Sequence, residues 1–361
     1  MHSYLKHGLE SLLRRKCSDC HLLFCFVDHF EPLWKQARDE TGTERISRWI
    51  KSYERAAPQH MDSDGRCPRH TYFFPLEQYR GAFLNVLAEH CKKGFGEIEF
   101  HLHHDNDTPQ NLTDTLEHFK SVFAEHGLLG LDKAGRIRYG FIHGNWALDN
   151  AHPQGRFCGV NNELTILRET GCYADFTLPS APSATQTSTI NSLYYAIDDP
   201  VRPKSHDAGI GLRAGRSEPT DKKCLMIIQG PLMLDWNWRL YGIFPRIENG
   251  EISGSHPSMR HRLKLWIRAS IAVAGRPDWI FIKVHTHGCA DDNYDQLFER
   301  EGFRRLHSYI RELAKENSAV KYHYVTAREM YNIIKAAEAA EVGSPFDFRD
   351  YSIKAPRYNA T

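Results

Sequence analysis

Short apolar runs alternate with helical patterns along most of the chain, and this alternation restricts the fold more than any other feature. Residues 21–28 form a nearly continuous apolar run that is too short for a typical helix and is typical of a strand covered on both faces. Residues 43–56, in contrast, place Ile46, Trp49 and Tyr53 at helical spacing. Strands that alternate with helices pair in parallel through right-handed crossovers. We therefore predict an α/β fold, a (β/α) barrel of about seven parallel strands, either closed or distorted and incomplete.

The 361 residues fit a single barrel domain that spans residues 1–361. We place its core at about residues 20–335 and a C-terminal tail at about residues 340–361. Residues 180–222 are rich in Ser, Thr, Pro and Gly, and strand-like runs resume directly after them. This segment is therefore predicted to be a long loop insertion that leaves the barrel and returns to it.

Charge and cysteine usage bear on the partners and the compartment. The 46 Lys and Arg residues balance 45 Asp and Glu residues and leave a net charge of +1, so we expect no nucleic-acid partner. No apolar stretch has the length of a membrane helix, so we expect no membrane span. The nine cysteines are odd in number and scattered, which is typical of a reducing compartment and predicts a cytoplasmic protein. The sequence leaves the oligomeric state open.

Histidine is abundant, with 21 residues, and it gathers with acidic residues where the predicted strands end. The carboxyl ends of parallel strands are where α/β proteins carry their functional residues. The residues at these ends are Asp28, His29 and Glu31; His101, His103 and Asp105; His143 and Trp146; Asp175; and Lys283, His285 and His287. Strand alternation places His101 with His103 on one face, and His285 with His287 on one face.

Imidazole and carboxylate groups with open coordination positions suit a catalytic divalent metal ion, above all Zn²⁺. Such an ion polarises a carbonyl and activates water, while a carboxylate and a histidine move protons, and the result is hydrolysis of an amide or ester. Taken singly, each residue has a simpler interpretation. Residues 101–107 could form a solvated turn before a helix capped by Thr108, for example. The recurrence of such residues at separate strand ends favours a site.

Four motifs follow one another over about residues 20–290. A first strand ends in Asp28-His29, a second contains the run Thr71-Tyr72-Phe73-Phe74, a third runs from Glu97 to His101, and the last ends at His285. This order resembles the polysaccharide deacetylase (NodB-like) family of the glycoside hydrolase/deacetylase β/α-barrel superfamily. His29 stands where the family has an aspartate, and Asp105 stands where it has a histidine.

The resemblance implies a role for each matching residue. Asp28 would be the general base and His285 the general acid, with His287 as a neighbour able to take over the acid role. The metal ligands would be His29, His101 and Asp105, with His103 as a substitute for Asp105. Substrate-binding residues are expected at His143, Trp146 and Asp175, which lie at other strand ends.

The expected function is that of a metal-dependent hydrolase, most specifically a deacetylase acting on an N- or O-acetylated sugar or polysaccharide. Three alternatives stay open. The first is a metal-independent glycoside hydrolase that uses Asp28 or Glu31 with Asp175. The second is an amidohydrolase, whose His-x-His motif the pair His101 and His103 resembles. The third is a barrel that binds carbohydrate without catalysis.

Overall fold

The computed structural model describes residues 20–219, 221 and 223–358. The ends of the predicted domain, at residues 1–19 and 359–361, lie outside the described residues, as do positions 220 and 222 near the end of the predicted insertion.

Strands and helices alternate over most of the described chain. The strands are β1 (Cys20–His29), β2 (His70–Pro75), β3 (Gly96–Leu102), β4 (Gly130–Asp132), β5 (Ile137–His143), β6 (Cys172–Asp175), β7 (Leu193–Ile197), β8 (Gly209–Gly211), β9 (Cys224–Ile228), β10 (Met233–Leu240), β11 (Phe244–Glu248), β12 (Trp279–Thr286), β13 (Val320–Val325) and β14 (Ile353–Lys354). The helices are α1 (Asp39–Ala56), α2 (Gly81–His90), α3 (Pro109–Glu125), α4 (Glu163–Thr170), α5 (Arg260–Arg268), α6 (Asp291–Tyr294), α7 (Gly302–Glu316) and α8 (Ala327–Glu338).

The large sheet follows the order β12-β1-β2-β3-β5-β6-β9-β7-β8. The strands from β12 to β9 in that order are parallel. One edge of β1 is shared, because β13 pairs with its first half and β2 with its second half. The result is a distorted (β/α) barrel, and the predicted fold class is confirmed.

Strand β1 has an apolar side chain at nearly every position because it is buried on both faces. Leu23, Cys25 and Val27 belong to the cluster that fills the barrel. Phe24 and Phe26 alternate with them and belong to the outer core. Burying a side chain of this size stabilises the fold by ~1.5–3 kcal/mol, so β1 holds the barrel and its helices together.

The predicted insertion at residues 180–222 lies outside the parallel part of the sheet and contains strands β7 and β8. Strand β7 pairs antiparallel with β9, and β8 pairs antiparallel with β7. Tyr194 and Tyr195 in β7 are buried, which explains why an aromatic pair occurs in a segment otherwise rich in small polar residues. Among the described residues, no helix is both long and apolar enough to cross a bilayer.

Candidate functional site

The ends of three strands meet at one mouth of the barrel and bring imidazoles together. His29 closes the inward face of β1, and its ring centroid lies 4.9 Å from that of His101, at the end of β3. The ring centroid of His29 also lies 6.1 Å from that of His285, in β12, and 4.6 Å from that of His287, just after β12. We call the following residues the mouth cluster: His29, Glu31, His101, His103, His285 and His287.

Glu31 is the acidic centre of the mouth cluster. Its Oε1 lies 3.2 Å from His103 Nε2 and 3.5 Å from His101 Nε2. Its Oε2 lies 3.1 Å from His287 Nδ1. One ligand atom from each of Glu31, His101 and His103 can be chosen so that all three lie within 4.8 Å of one another.

Two of these imidazoles are held in fixed orientations by acceptors on their far side. His101 Nδ1 donates to the carbonyl oxygen of Ile142 at 2.9 Å, and His103 Nδ1 donates to Glu77 Oε1 at 2.6 Å. In the neutral tautomer this leaves each Nε2 with a lone pair directed toward Glu31. His101 Nε2 is buried and has no hydrogen-bond partner among the described residues.

The local charges suit a bound cation. Burial favours the protonated form of Glu31, but its contacts with His101, His103 and His287 outweigh burial and hold its pKa well below the ordinary value. Burial also works against protonation of His103, yet hydrogen bonds with Glu31 and Glu77 raise its pKa to about 10. Burial and the neighbouring imidazoles lower the pKa of His29 well below its ordinary value. Near neutral pH the mouth cluster therefore contains an ionised Glu31, a neutral His29 and a protonated His103. A cation can displace the proton of His103.

Glu31, His101 and His103 fit a divalent metal ion. Two imidazole nitrogens and one carboxylate oxygen are donors that Zn²⁺ and similar metals take in catalytic sites. The acceptors behind His101 and His103 are the kind of partner that orients metal-bound histidines. A lone pair buried without a partner, as at His101, costs free energy that a cation would offset.

The expected base Asp28 lies on the opposite face of β1 from His29, as strand alternation requires. Its Oδ1 accepts from the backbone N–H of Gly288 at 2.7 Å, and its Oδ2 lies 3.4 Å from His70 Nδ1. Asp28 is fully buried. The structure thus brings His285 and His287 to the mouth cluster. Asp28 lies on the other face of β1 and is not part of the cluster.

Asp105 and His143 also lie apart from the mouth cluster. Asp105 is exposed, and its Oδ1 accepts from the backbone N–H of Phe157 at 2.7 Å. The solvated turn considered for this segment is present, and Thr108 caps α3 by accepting from the N–H of Asn111. His143 points to the outer side of the barrel, where its Nε2 lies 2.8 Å from His104 Nε2.

The two remaining candidates have different surroundings. Trp146 is half-buried in the turn after β5, with a φ of 55°. Asp175 is buried, and its carboxylate accepts from the backbone N–H and the hydroxyl of Thr177. Burial raises the pKa of Asp175, while Lys283 opposes that shift.

Sequence reasoning did not assign two residues that the structure places beside the mouth cluster. Glu77 orients His103 from the turn after β2. Trp34 lies with its ring 5.3 Å from that of His287 and lines an open groove together with Glu251, Asn293 and Arg300. Each lies a few residues after a strand end in the sequence, and this position is the one feature from which they could have been predicted.

No protein-family model matches the sequence, and a comparison with curated proteins gives no match either. Among solved structures, the fold is similar to that of a 4-alpha-glucanotransferase from Thermococcus litoralis, with 12% sequence identity and a TM-score of 0.44. The match covers 86% of this chain and 40% of the glucanotransferase, so the chain spans less than half the length of that enzyme. A likeness this low carries no argument about activity.

Proposed function

We propose that this protein is a metal-dependent hydrolase whose divalent ion, expected to be zinc, is bound by Glu31, His101 and His103. The observation that carries the proposal is the buried Nε2 of His101, which faces the Glu31 carboxylate without a hydrogen bond of its own. His29 supplies a further neutral imidazole beside this set. His103 takes the place that the resemblance gave to Asp105.

The proposed reaction is hydrolysis of an acetyl amide or ester. When bound, the ion polarises the carbonyl and lowers the pKa of a water molecule. Burial lowers the pKa of His285 to about 3, although Glu251 opposes the shift, so this imidazole is neutral near pH 7. In the proposal His285 takes a proton from the attacking water and returns it to the leaving nitrogen or oxygen. The second of these steps is the general-acid role that the resemblance implies for His285. His287 is oriented by Glu31 and can serve the same leaving group.

The proposed substrate class is an acetylated sugar. Trp34 offers a flat apolar face beside His287, and Glu251, Asn293 and Arg300 add polar groups along the same groove. A groove with an aromatic face and a few polar groups is suited to a sugar ring, which has apolar faces and a rim of hydroxyls.

Glycoside hydrolysis is the alternative, and it needs a carboxylic acid that stays protonated near neutral pH. Asp175 has a raised pKa, which favours this reading, but it is wholly buried and both its oxygens contact Thr177. Glu251 lines the groove but is unsuited, because hydrogen bonds from His256 and Ser253 outweigh burial and lower its pKa to about 2. We therefore rank deacetylation first.

The test measures metal content and product release on the same preparations. We expect His101→Ala to lose one equivalent of metal and to stop releasing acetate from N-acetylated sugar oligomers. His118→Ala is the matched control, because His118 is an exposed histidine on α3. Acetate release should also stop on chelation and return when zinc is added.

Three results would contradict the proposal. Unchanged metal content in His101→Ala would show that the ligand set is different. Glycosidic cleavage that survives chelation would support the glycoside hydrolase. Sugar binding without any turnover would support a non-catalytic carbohydrate-binding barrel.

A further inference from the structure

A second group of donor side chains lies on the outer side of the barrel, apart from the mouth cluster. It consists of His104 after β3, His143 at the end of β5, Cys158 in the segment before α4, and Glu163 at the start of α4. One ligand atom from each lies within 4.8 Å of the others. His143, Cys158 and Glu163 are fully buried, and the side chain of His104 is 8% exposed.

The two imidazoles of this group face each other through their Nε2 atoms. His104 Nδ1 lies 2.9 Å from Asp107 Oδ2, and His143 Nδ1 lies 2.5 Å from the carbonyl oxygen of Gly144. A carboxylate and a carbonyl can only accept, so each Nδ1 carries a proton, and either ring, when neutral, presents a lone pair at Nε2. The two Nε2 atoms are 2.8 Å apart. Lone pairs at this distance repel unless a cation or a proton lies between them.

The carboxylate and the thiol complete the set. Glu163 Oε1 lies 3.2 Å from His104 Nε2 and 3.5 Å from His143 Nε2. Its Oε2 lies 3.5 Å from Cys158 Sγ and accepts from the N–H of Asp149 at 2.6 Å, which fixes the carboxylate. The group therefore offers two nitrogens, one sulfur and one oxygen.

We propose that His104, His143, Cys158 and Glu163 form a structural zinc site. Imidazole, thiolate and carboxylate are the ligands that zinc takes, and structural sites use four protein ligands in tetrahedral geometry. Deep burial and four side-chain donors leave no position for a substrate. The site is separate from the proposed catalytic centre and does not depend on its function.

Such a site would anchor the irregular segment between β5 and α4 to the barrel. Asn145, Asp149 and Asn150 in this segment all have positive φ, so its backbone departs from regular helix and strand geometry. His104 directly follows His103, so the zinc ion would also fix the backbone that carries one ligand of the mouth cluster. The site would in this way help to position the catalytic centre.

A metal-free arrangement is the competing explanation. Protonated His104 could donate from Nδ1 to Asp107 and share its Nε2 proton with His143 and Glu163. This arrangement satisfies the same contacts with a proton in place of the ion. It predicts no metal at the site, and so experiment separates the two.

Cobalt provides a probe that distinguishes this site from the mouth cluster, because Cys158 is the one sulfur donor in these two groups of described residues. The purified full-length protein is loaded with Co²⁺, and we expect a sulfur-to-cobalt charge-transfer absorption in the near ultraviolet. The band should persist in His101→Ala, which removes a ligand of the mouth cluster, and disappear in Cys158→Ser. Cys172→Ser is the matched control, since Cys172 is buried in β6 and donates to the carbonyl of Ala174.

A second measurement does not require a substitution at the site itself. Zinc-loaded His101→Ala is examined by X-ray absorption, and we expect one sulfur neighbour at about 2.3 Å beside nitrogen and oxygen neighbours. A zinc shell without sulfur, no zinc at all in His101→Ala, or a cobalt band that survives in Cys158→Ser would overturn the proposal. If His101→Ala instead keeps all its metal and Cys158→Ser loses one equivalent, the proposed function fails while the structural site stands.

Discussion

His101 Nε2 lies 3.5 Å from Glu31 Oε1, and it is buried without a hydrogen bond. The carbonyl of Ile142 holds the other ring nitrogen, so the lone pair cannot turn away from the carboxylate. A lone pair that faces an anion is unfavourable in the absence of a cation. This relationship links the end of β3 to the segment after β1 and is the observation on which the proposed metal ion rests.

Metal binding should release a proton from His103. In the metal-free protein Glu31 and Glu77 raise its pKa to about 10 against the effect of burial, so it is protonated at pH 8 and the ion must displace that proton. Metal affinity should therefore rise with pH below 10. Calorimetric zinc titrations at pH 8, in two buffers with different ionisation enthalpies, count the protons released.

The variant Glu77→Gln removes one of the two carboxylates that raise the pKa of His103. It should release fewer protons per zinc ion at pH 8 than the wild type. Glu89→Gln is the control, because Glu89 is an exposed carboxylate on α2. Equal proton release in Glu77→Gln and wild type would show that His103 is not displaced by the ion.

Gly144 should tolerate no side chain, because a Cβ atom there would lie 2.3 Å from Cδ2 of His103 and 2.8 Å from the carbonyl oxygen of Leu102. The backbone cannot yield, so the imidazole of His103 must move away from Glu31. We expect Gly144→Ala to lower metal content at the mouth cluster and to destabilise the protein by ~1–3 kcal/mol. Gly211→Ala is the control, since no atom lies within 4 Å of its added Cβ. Metal analysis and denaturant unfolding check both effects, and a Gly144→Ala protein with full metal content would contradict them.

Asp28 can be tested for the two roles that the sequence and the structure suggest. A general base contributes about 10²–10⁴-fold to kcat, and Asp28→Asn would remove that contribution. A residue that positions His287 through the Gly288 N–H would instead be replaced well by Asn, which still accepts a hydrogen bond, and poorly by Ala. We expect near-normal kcat in Asp28→Asn and a lower kcat in Asp28→Ala. A large loss of kcat in a folded Asp28→Asn enzyme would favour the base.

The sequence predicted the barrel because its strands are buried on both faces and leave an unmistakable apolar run, as in β1. It also predicted that His101 and His103 share a face, since a strand repeats every two residues. Glu31 lies beyond the end of β1, where no such period applies, so its central position could not be derived. The contact of Glu77 with His103 depends on how β2 and β3 pair, and Cys158 and Glu163 meet His104 only through an irregular segment.

Glu99 provides a test of electrostatics inside the barrel. Its carboxylate accepts from the hydroxyl of Tyr173 at 2.6 Å and from the N–H of Gly140 at 2.5 Å. Burial raises its pKa from 4.5 to about 8 in spite of these hydrogen bonds. The folded protein thus holds a proton that the unfolded chain has released between these two pH values.

The consequence is that Glu99 lowers the free energy of unfolding as the pH rises from about 4.5 to about 8, by at most about 1.4 kcal/mol per pH unit. Glu99→Gln does not ionise, and its amide can accept from the N–H of Gly140 and donate to the hydroxyl oxygen of Tyr173, so its stability relative to the wild type should increase steadily over this range. Urea unfolding at pH 5, 6, 7 and 8 measures the difference, and Glu89→Gln serves as the exposed control with no such trend. A constant difference between Glu99→Gln and wild type would mean that Glu99 is ionised in the folded protein throughout.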